Sequence, residues 1–171
     1  MQGWDKDTLT FHLNPDNCPA GVESLIQDAM EVWNAVPTSA LRVKLGSQTS
    51  ETFPLQATGQ GQDIPGIFCI TDMAAINGDP NSIPGRATAF AMNGSHISNG
   101  VLLLNADPSG LANIAVMDSD KVKVVIAHEI GHVLGLGHSE DQAALMYYNA
   151  TAKEHMALAE DDANGLSYLY P

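Results

Sequence analysis

The sequence predicts an α/β domain, a twisted mixed β-sheet backed by two long helices, with a third helix near the C-terminus. Three observations carry this. Short segments with alternating or continuous apolar residues recur through the N-terminal part of the chain. Two longer segments repeat apolar residues at three- and four-residue steps. Loops rich in Gly, Pro, Asn and Ser separate them. At 171 residues, with 44% hydrophobic and 16% charged residues, the chain has the length and composition of one globular domain.

Thr8, Thr10 and His12 alternate with Leu9, Phe11 and Leu13, which predicts a half-buried strand. Val22, Leu25, Ile26, Ala29, Met30 and Trp33 then mark one face of a helix entered after Cys18-Pro19 and ended before Pro37. Residues 41–45, 67–71, 86–91 and 101–105 are further short strands. The polar segment 46–66 reads as a long surface excursion within the domain. From 119 to 134 the pattern becomes helical, with Val122, Ile126, Ile130 and Val133 on one face. Asp118 and Asp120 suit the positive N-terminus of this helix. A last helix spans about 159–170 and offers Leu166, Leu169 and Tyr170 for packing.

Charge and composition exclude several classes. Seven Lys and Arg against 20 Asp and Glu give a net charge of −13, a field that repels nucleic-acid backbones and anionic membranes. No apolar run approaches the roughly 20 residues of a bilayer crossing, so the sequence predicts a soluble chain with neither nucleic acid nor membrane as partner. Met1-Gln2-Gly3-Trp4 shows no basic or apolar region of a signal peptide. Cys18 and Cys69 are too few for a disulfide scaffold and form no CxxC pair; they allow one disulfide or two buried thiols.

The decisive run is His128-Glu129-Ile130-Gly131-His132-Val133-Leu134-Gly135-Leu136-Gly137-His138. On a helix His128 and His132 lie one turn apart on one face, so two imidazoles can meet one ion. Gly135 lets the chain leave the helix through a left-handed residue, which swings His138 back as a third ligand. Three neutral imidazoles and one open position suit a catalytic zinc, because a fourth protein ligand would exclude water. Glu129 would sit beside that water as general base. Three His, one Glu and one Gly at fixed spacings arise by chance on the order of 10⁻⁵ per chain, so ordinary helix and loop histidines do not explain the run. A structural metal leaves Glu129 beside an open site unexplained.

These residues match the HExxHxxGxxH motif, and the chain resembles the metzincin zinc peptidases, most of all the matrixins, the family of the matrix metalloproteinase catalytic domains. Ser139 follows the third histidine as in that family, and Ala144-Leu145-Met146-Tyr147 resembles its Met-turn, with Met146 eight residues after His138. Residues 158–170 resemble the family's C-terminal helix with its paired aspartates, here Asp161 and Asp162. Leu9-Thr10-Phe11 and Trp33-Asn34-Ala35-Val36-Pro37 resemble its first strand and first helix.

The resemblance implies one metallopeptidase catalytic domain over residues 1–171, with an upper subdomain to about 135 and a lower one from about 136. It implies a monomeric, secreted or extracellular zinc endopeptidase acting on protein or peptide substrates. Met146 would pack beneath the metal as a polarisable cushion. One of Asp161 and Asp162 would bind the Met-turn or a matured N-terminus. The rim strand 86–91 would pair with substrate by β-augmentation. Val124, one turn before His128, and Tyr147 would shape the substrate pocket. Tyr148 stands where matrixins usually place Pro; it either forms pocket wall or, as in the astacins and serralysins, donates a hydrogen bond to the developing oxyanion.

The sequence also departs from the family. Vertebrate matrixins carry a second, structural zinc, but here only His96 lies between Asp79 and Asp107, and Thr88 stands where the rim strand would offer a histidine. One zinc is therefore expected, with Ca2+ left open at Asp72, Asp79 or Asp107. No PRCGxPD segment is present, as in an active catalytic domain. His12, His96 and His155 lack partners at ligand spacing and read as surface or loop histidines. Two rival functions stand beside the endopeptidase: a zinc-dependent module that binds peptides without cutting them, and a small-peptide or exopeptidase hydrolase on the same site.

Overall fold

The computed structural model describes residues 2–53, 64–91 and 95–171. The elements run β1 (Gln2–Trp4), β2 (Thr8–Leu13), α1 (Val22–Asn34), β3 (Arg42–Leu45), β4 (Gly66–Ile70), β5 (Gly85–Phe90), β6 (His96–Ile97), β7 (Asn99–Asn105), α2 (Ser119–Val133) and α3 (Glu160–Leu169). The five strands of the main sheet lie in the order β3-β2-β4-β7-β5. All pair parallel except β5, which runs antiparallel to β7 and forms one edge. The mixed sheet, the two long helices and the third helix are those the sequence predicts, with bounds shifted by a residue or two. Of the polar excursion, residues 54–63 lie outside the described residues, and Gly66 belongs to β4.

Alternation explains β2: Leu9, Phe11 and Leu13 are buried while Thr8 is exposed and Thr10 and His12 half-exposed. The buried side meets Ile67 and Cys69 of β4 and Leu102 and Leu104 of β7, and the buried residues of α1 and α2 close the same core. Each such fully buried side chain contributes about 1.5–3 kcal/mol. Trp33 joins the two helices, its indole N–H donating to the Ala127 carbonyl at 2.9 Å. Asn34 ties the end of α1 to β3 through two bonds with the Val43 backbone, at 2.8 and 2.9 Å. Cys18, just before α1, is bridged to Cys69 of β4, which resolves the two cysteines as one disulfide.

A second small sheet pairs β1 with β6 in parallel. Neither strand is foreseen from the sequence; His96, a surface residue as expected, belongs to β6, its Nδ1 3.1 Å from the Gly3 carbonyl. His12 likewise sits on a strand, on the half-exposed side of β2. Among the described residues no helix is long and apolar enough to cross a membrane.

Candidate metal centre

The site is built on α2. Asp118 caps it, its carboxylate accepting from the N–H groups of Asp120 at 2.9 Å and Lys121 at 3.4 Å, where the helix dipole favours a negative group. Ten of its fifteen residues are buried, which fixes its rotation and turns His128, Glu129 and His132 toward the free side of β5. After Leu134 the chain turns at Gly135, whose φ of 99° is a left-handed conformation that favours glycine. His138 thereby returns to the helix. Its Nε2 lies 3.2 Å from that of His132.

His128, His132 and His138 each offer a ring nitrogen, and these atoms lie within 4.8 Å of one another. Their orientation is imposed from outside the cluster. His128 donates through Nδ1 to the Leu145 carbonyl at 2.8 Å, and His132 through Nδ1 to the Leu136 carbonyl at 2.9 Å. A carbonyl can only accept, so both rings carry the proton on Nδ1 and aim an unprotonated Nε2 inward. Burial disfavours the charged imidazolium: it lowers the His128 pKa to about 4 and lowers that of His132 as well. Three ring nitrogens this close together fit a zinc ion.

Leu145 belongs to the turn that also carries Met146. Asp162, 2% exposed, holds that turn by accepting the N–H groups of Leu145 at 2.7 Å and Met146 at 2.9 Å, and it accepts Ala159 N–H at 2.8 Å at the start of α3. Asp161 instead accepts the Ser139 hydroxyl at 2.5 Å, next to His138. Met146 is buried against Gly131, below the histidines.

Glu129 is 8% exposed and faces β5. Burial pushes its carboxyl up to about 7, against the lowering effect of the Ala87 N–H that it accepts and of the Arg86 charge. A Cβ on Gly85 would come within 3.0 Å of the Glu129 side chain, so the rim strand fits closely over it. Glu129 and the three histidines share a cleft of about 300 Å³, bounded by residues 82–87 on one side and Tyr148 to Thr151 on the other.

The sequence pattern of the matrixin family matches residues 3–171, the site included. The chain belongs to the matrixins. It is 31% identical over 183 residues to matrix metalloproteinase-18 of Xenopus laevis, covering 98% of this chain and 33% of that protein. With human neutrophil collagenase the identity is 29% over 184 residues, again 98% of this chain and 33% of the relative. With bovine interstitial collagenase it is 30% over 170 residues, 98% and 32%. This matrixin chain thus spans about a third of the length of the curated relatives it matches.

Two pocket residues expected from the sequence are placed otherwise in this matrixin. Val124 is fully buried in the core and does not line the cleft; Val125 does. A helix turns about 100° per residue, so Val124 sits on the core side of His128, whereas Val125 shares the side of Glu129 that faces β5. Tyr147 also stays off the cleft wall, which Tyr148 forms, 66% exposed and tilted at 49° against the Tyr147 ring with ring centres 4.5 Å apart. The Ala87 N–H has no sequence signature at all, since any residue supplies it.

Among the described residues, the three histidines are the one group of three or more His, Cys, Asp or Glu side chains near enough to share an ion. Asp72 and Asp79 close local turns, Asp72 accepting Ala75 N–H and Asp79 accepting Asn81 N–H and the Ser82 hydroxyl, while Asp107 accepts both groups of Ser109 beside it and the Met73 N–H from a distant part of the chain. Thr88 is exposed on β5.

Proposed function

We propose that this matrixin is a zinc-dependent endopeptidase that hydrolyses peptide bonds inside protein chains, with His128, His132 and His138 as zinc ligands and Glu129 as general base. The observation that carries the proposal is the convergence of the three inward-facing imidazoles with the Glu129 carboxyl in one open cleft. A zinc ion held there supplies Lewis acidity to the scissile carbonyl and makes a water molecule acidic enough to attack near neutral pH.

The chain's own groups do the rest. Glu129 takes the proton of the attacking water and hands it to the leaving amine. The Ala87 N–H fixes the carboxyl for both transfers. The outer edge of β5, with β7 as its only strand partner among the described residues, leaves backbone groups to pair with an extended peptide. Such pairing suits a chain interior, since it requires residues on both sides of the cut. Val125 and Tyr148 flank the bound peptide, Tyr148 as wall.

The whole of residues 1–171 acts as one catalytic domain, the upper part to about 135 and the lower from about 136 meeting at the cleft. The protein works outside the cell as a monomer, and the disulfide between Cys18 and Cys69 suits that compartment. Digestion of casein and of end-blocked quenched peptides, with and without chelator, tests the proposal. Cleavage that chelator abolishes and zinc restores is expected. Zinc uptake without cleavage would make the chain a binding module, and cleavage of free-ended peptides alone would make it an exopeptidase.

A further inference from the structure

A helix leaves its last four carbonyls without partners inside the helix. In α2 the Ile130 carbonyl still receives Leu134 N–H, and those of Gly131 and His132 are taken by Leu136 and Gly135 as the chain turns away. Val133 and Leu134 follow, both fully buried, and neither carbonyl is met by the turn. The two ends of the chain meet them. The Trp4 indole N–H donates to the Val133 carbonyl at 2.8 Å, and the Tyr170 hydroxyl donates to the Leu134 carbonyl at 2.6 Å. The same hydroxyl accepts Trp4 N–H at 3.0 Å, so three bonds join β1, the end of α3 and the end of α2. The phenol comes so close to β1 that a Cβ on Gly3 would lie 2.5 Å from it.

We propose that Trp4 and Tyr170 are positioning residues for the metal site, setting through Val133 and Leu134 the backbone that orients His132 and delivers His138. This rests on the reading of the three histidines as zinc ligands. The segment they hold has two outputs. Leu136, two residues past Leu134, presents the carbonyl that orients His132. Gly135 begins the turn that ends at His138, and Ile97 and Leu169 press on it, a Cβ there falling 2.8 and 3.5 Å from them. His138 is itself exposed, and a Cβ on Gly137 would touch nothing within 4 Å. On its C-terminal side it is anchored through Ser139 N–H to the Met146 carbonyl at 2.9 Å. On its N-terminal side the anchor is the segment that Trp4 and Tyr170 hold.

The experiment is a zinc competition titration against a chromophoric chelator on the full chain, beside thermal unfolding of the same samples. Tyr170→Phe and Trp4→Phe remove one donor each and keep a ring. Val43→Ala, a core truncation in β3 away from α2, serves as a variant that is merely less stable. At temperatures where all remain folded, lower stability alone leaves the dissociation constant of the native site unchanged. Tyr170→Phe and Trp4→Phe are each expected to raise the zinc dissociation constant about tenfold, the lower end for groups that orient a metal ligand. The double variant should fall short of the product, because the two residues share a hydrogen bond. Val43→Ala should bind like wild type. If both Phe variants melt earlier yet hold zinc like wild type, the positioning role is overturned and the zinc reading survives. Should Trp4→Phe fail to fold, Tyr170→Phe alone decides. Wild-type protein that takes up no zinc overturns the underlying reading instead.

Discussion

Gly131 in α2 and Met146 in the turn beneath it are packed so closely that a Cβ on Gly131 would overlap the methionine sulfur, and it would also lie 2.9 Å from the Trp33 indole. Gly131→Ala therefore sets two effects against each other. In an open helix the change would stabilise by about 1 kcal/mol, but overpacking a buried site costs about 1–3 kcal/mol. Overpacking wins here, since Met146 is held by Asp162 and Trp33 by its bond to Ala127, so neither can retreat freely. The expected result is a lower urea midpoint for the metal-free variant; an unchanged or raised midpoint would show that the contact is slack.

Glu129→Ala separates metal binding from chemistry. Glu129 does not belong to the histidine cluster, so zinc content and unfolding should stay near wild type. Losing a general base lowers turnover by about 10²–10⁴-fold. Metal analysis and peptide cleavage on the same preparation check this, and an active Glu129→Ala protein would remove Glu129 from the mechanism.

What the sequence discloses and what it hides follow from the range of the interactions. The spacing of His128, His132 and His138 is local, one helix and one turn, and so is the Asp118 cap. The alternation in β2 is local too. Strands β1 and β6 have three and two residues, too short to show a period, and each exists because it pairs with the other from a distant part of the chain. Strand order has the same character, because the parallel pairs β2-β4 and β4-β7 are set by which faces pack against α1 and α2. The exchange of Val124 for Val125 is a finer loss: the spacing of Val122, Ile126, Ile130 and Val133 gives the buried face of α2, whereas the side over Glu129 depends on where β5 lies. Asp162 was legible as one of an aspartate pair, but which of the pair takes the Met-turn needed the packed position of α3.

The bridge between Cys18 and Cys69 closes a sequence separation of 51 residues. On the chain-entropy account such a link contributes about 4 kcal/mol by restricting the unfolded chain. Reduction, or the pair Cys18→Ser with Cys69→Ala, should lower the unfolding free energy by that order, with the zinc ligands untouched. Thiol titration of the unfolded, unreduced protein should find no reactive thiol, and two would refute the bridge.

Tyr148→Phe distinguishes wall from oxyanion donor, because it keeps the ring and removes only the hydroxyl. As wall, Tyr148 should tolerate the change with turnover near wild type and the main effect on KM. Loss of an oxyanion donor would instead lower turnover by about 10²–10³-fold. Such a fall with zinc content retained would reassign the residue.

Tyr170 gives the protein an alkaline limit. Burial pushes its phenol from 10.0 up to about 12, only partly offset by the Trp4 N–H that it accepts. The native state therefore holds the proton more tightly than the unfolded chain, and stability from this group is complete below about pH 10 and is lost as pH rises through about 12. A two-unit difference corresponds to roughly 2–3 kcal/mol at most. Urea unfolding followed across that window should show wild-type stability falling steadily. Tyr170→Phe should start lower, lacking both hydrogen bonds of the hydroxyl, but should fall less steeply because no buried phenol remains to ionise. Parallel slopes for the two proteins would mean that Tyr170 does not govern the alkaline limit.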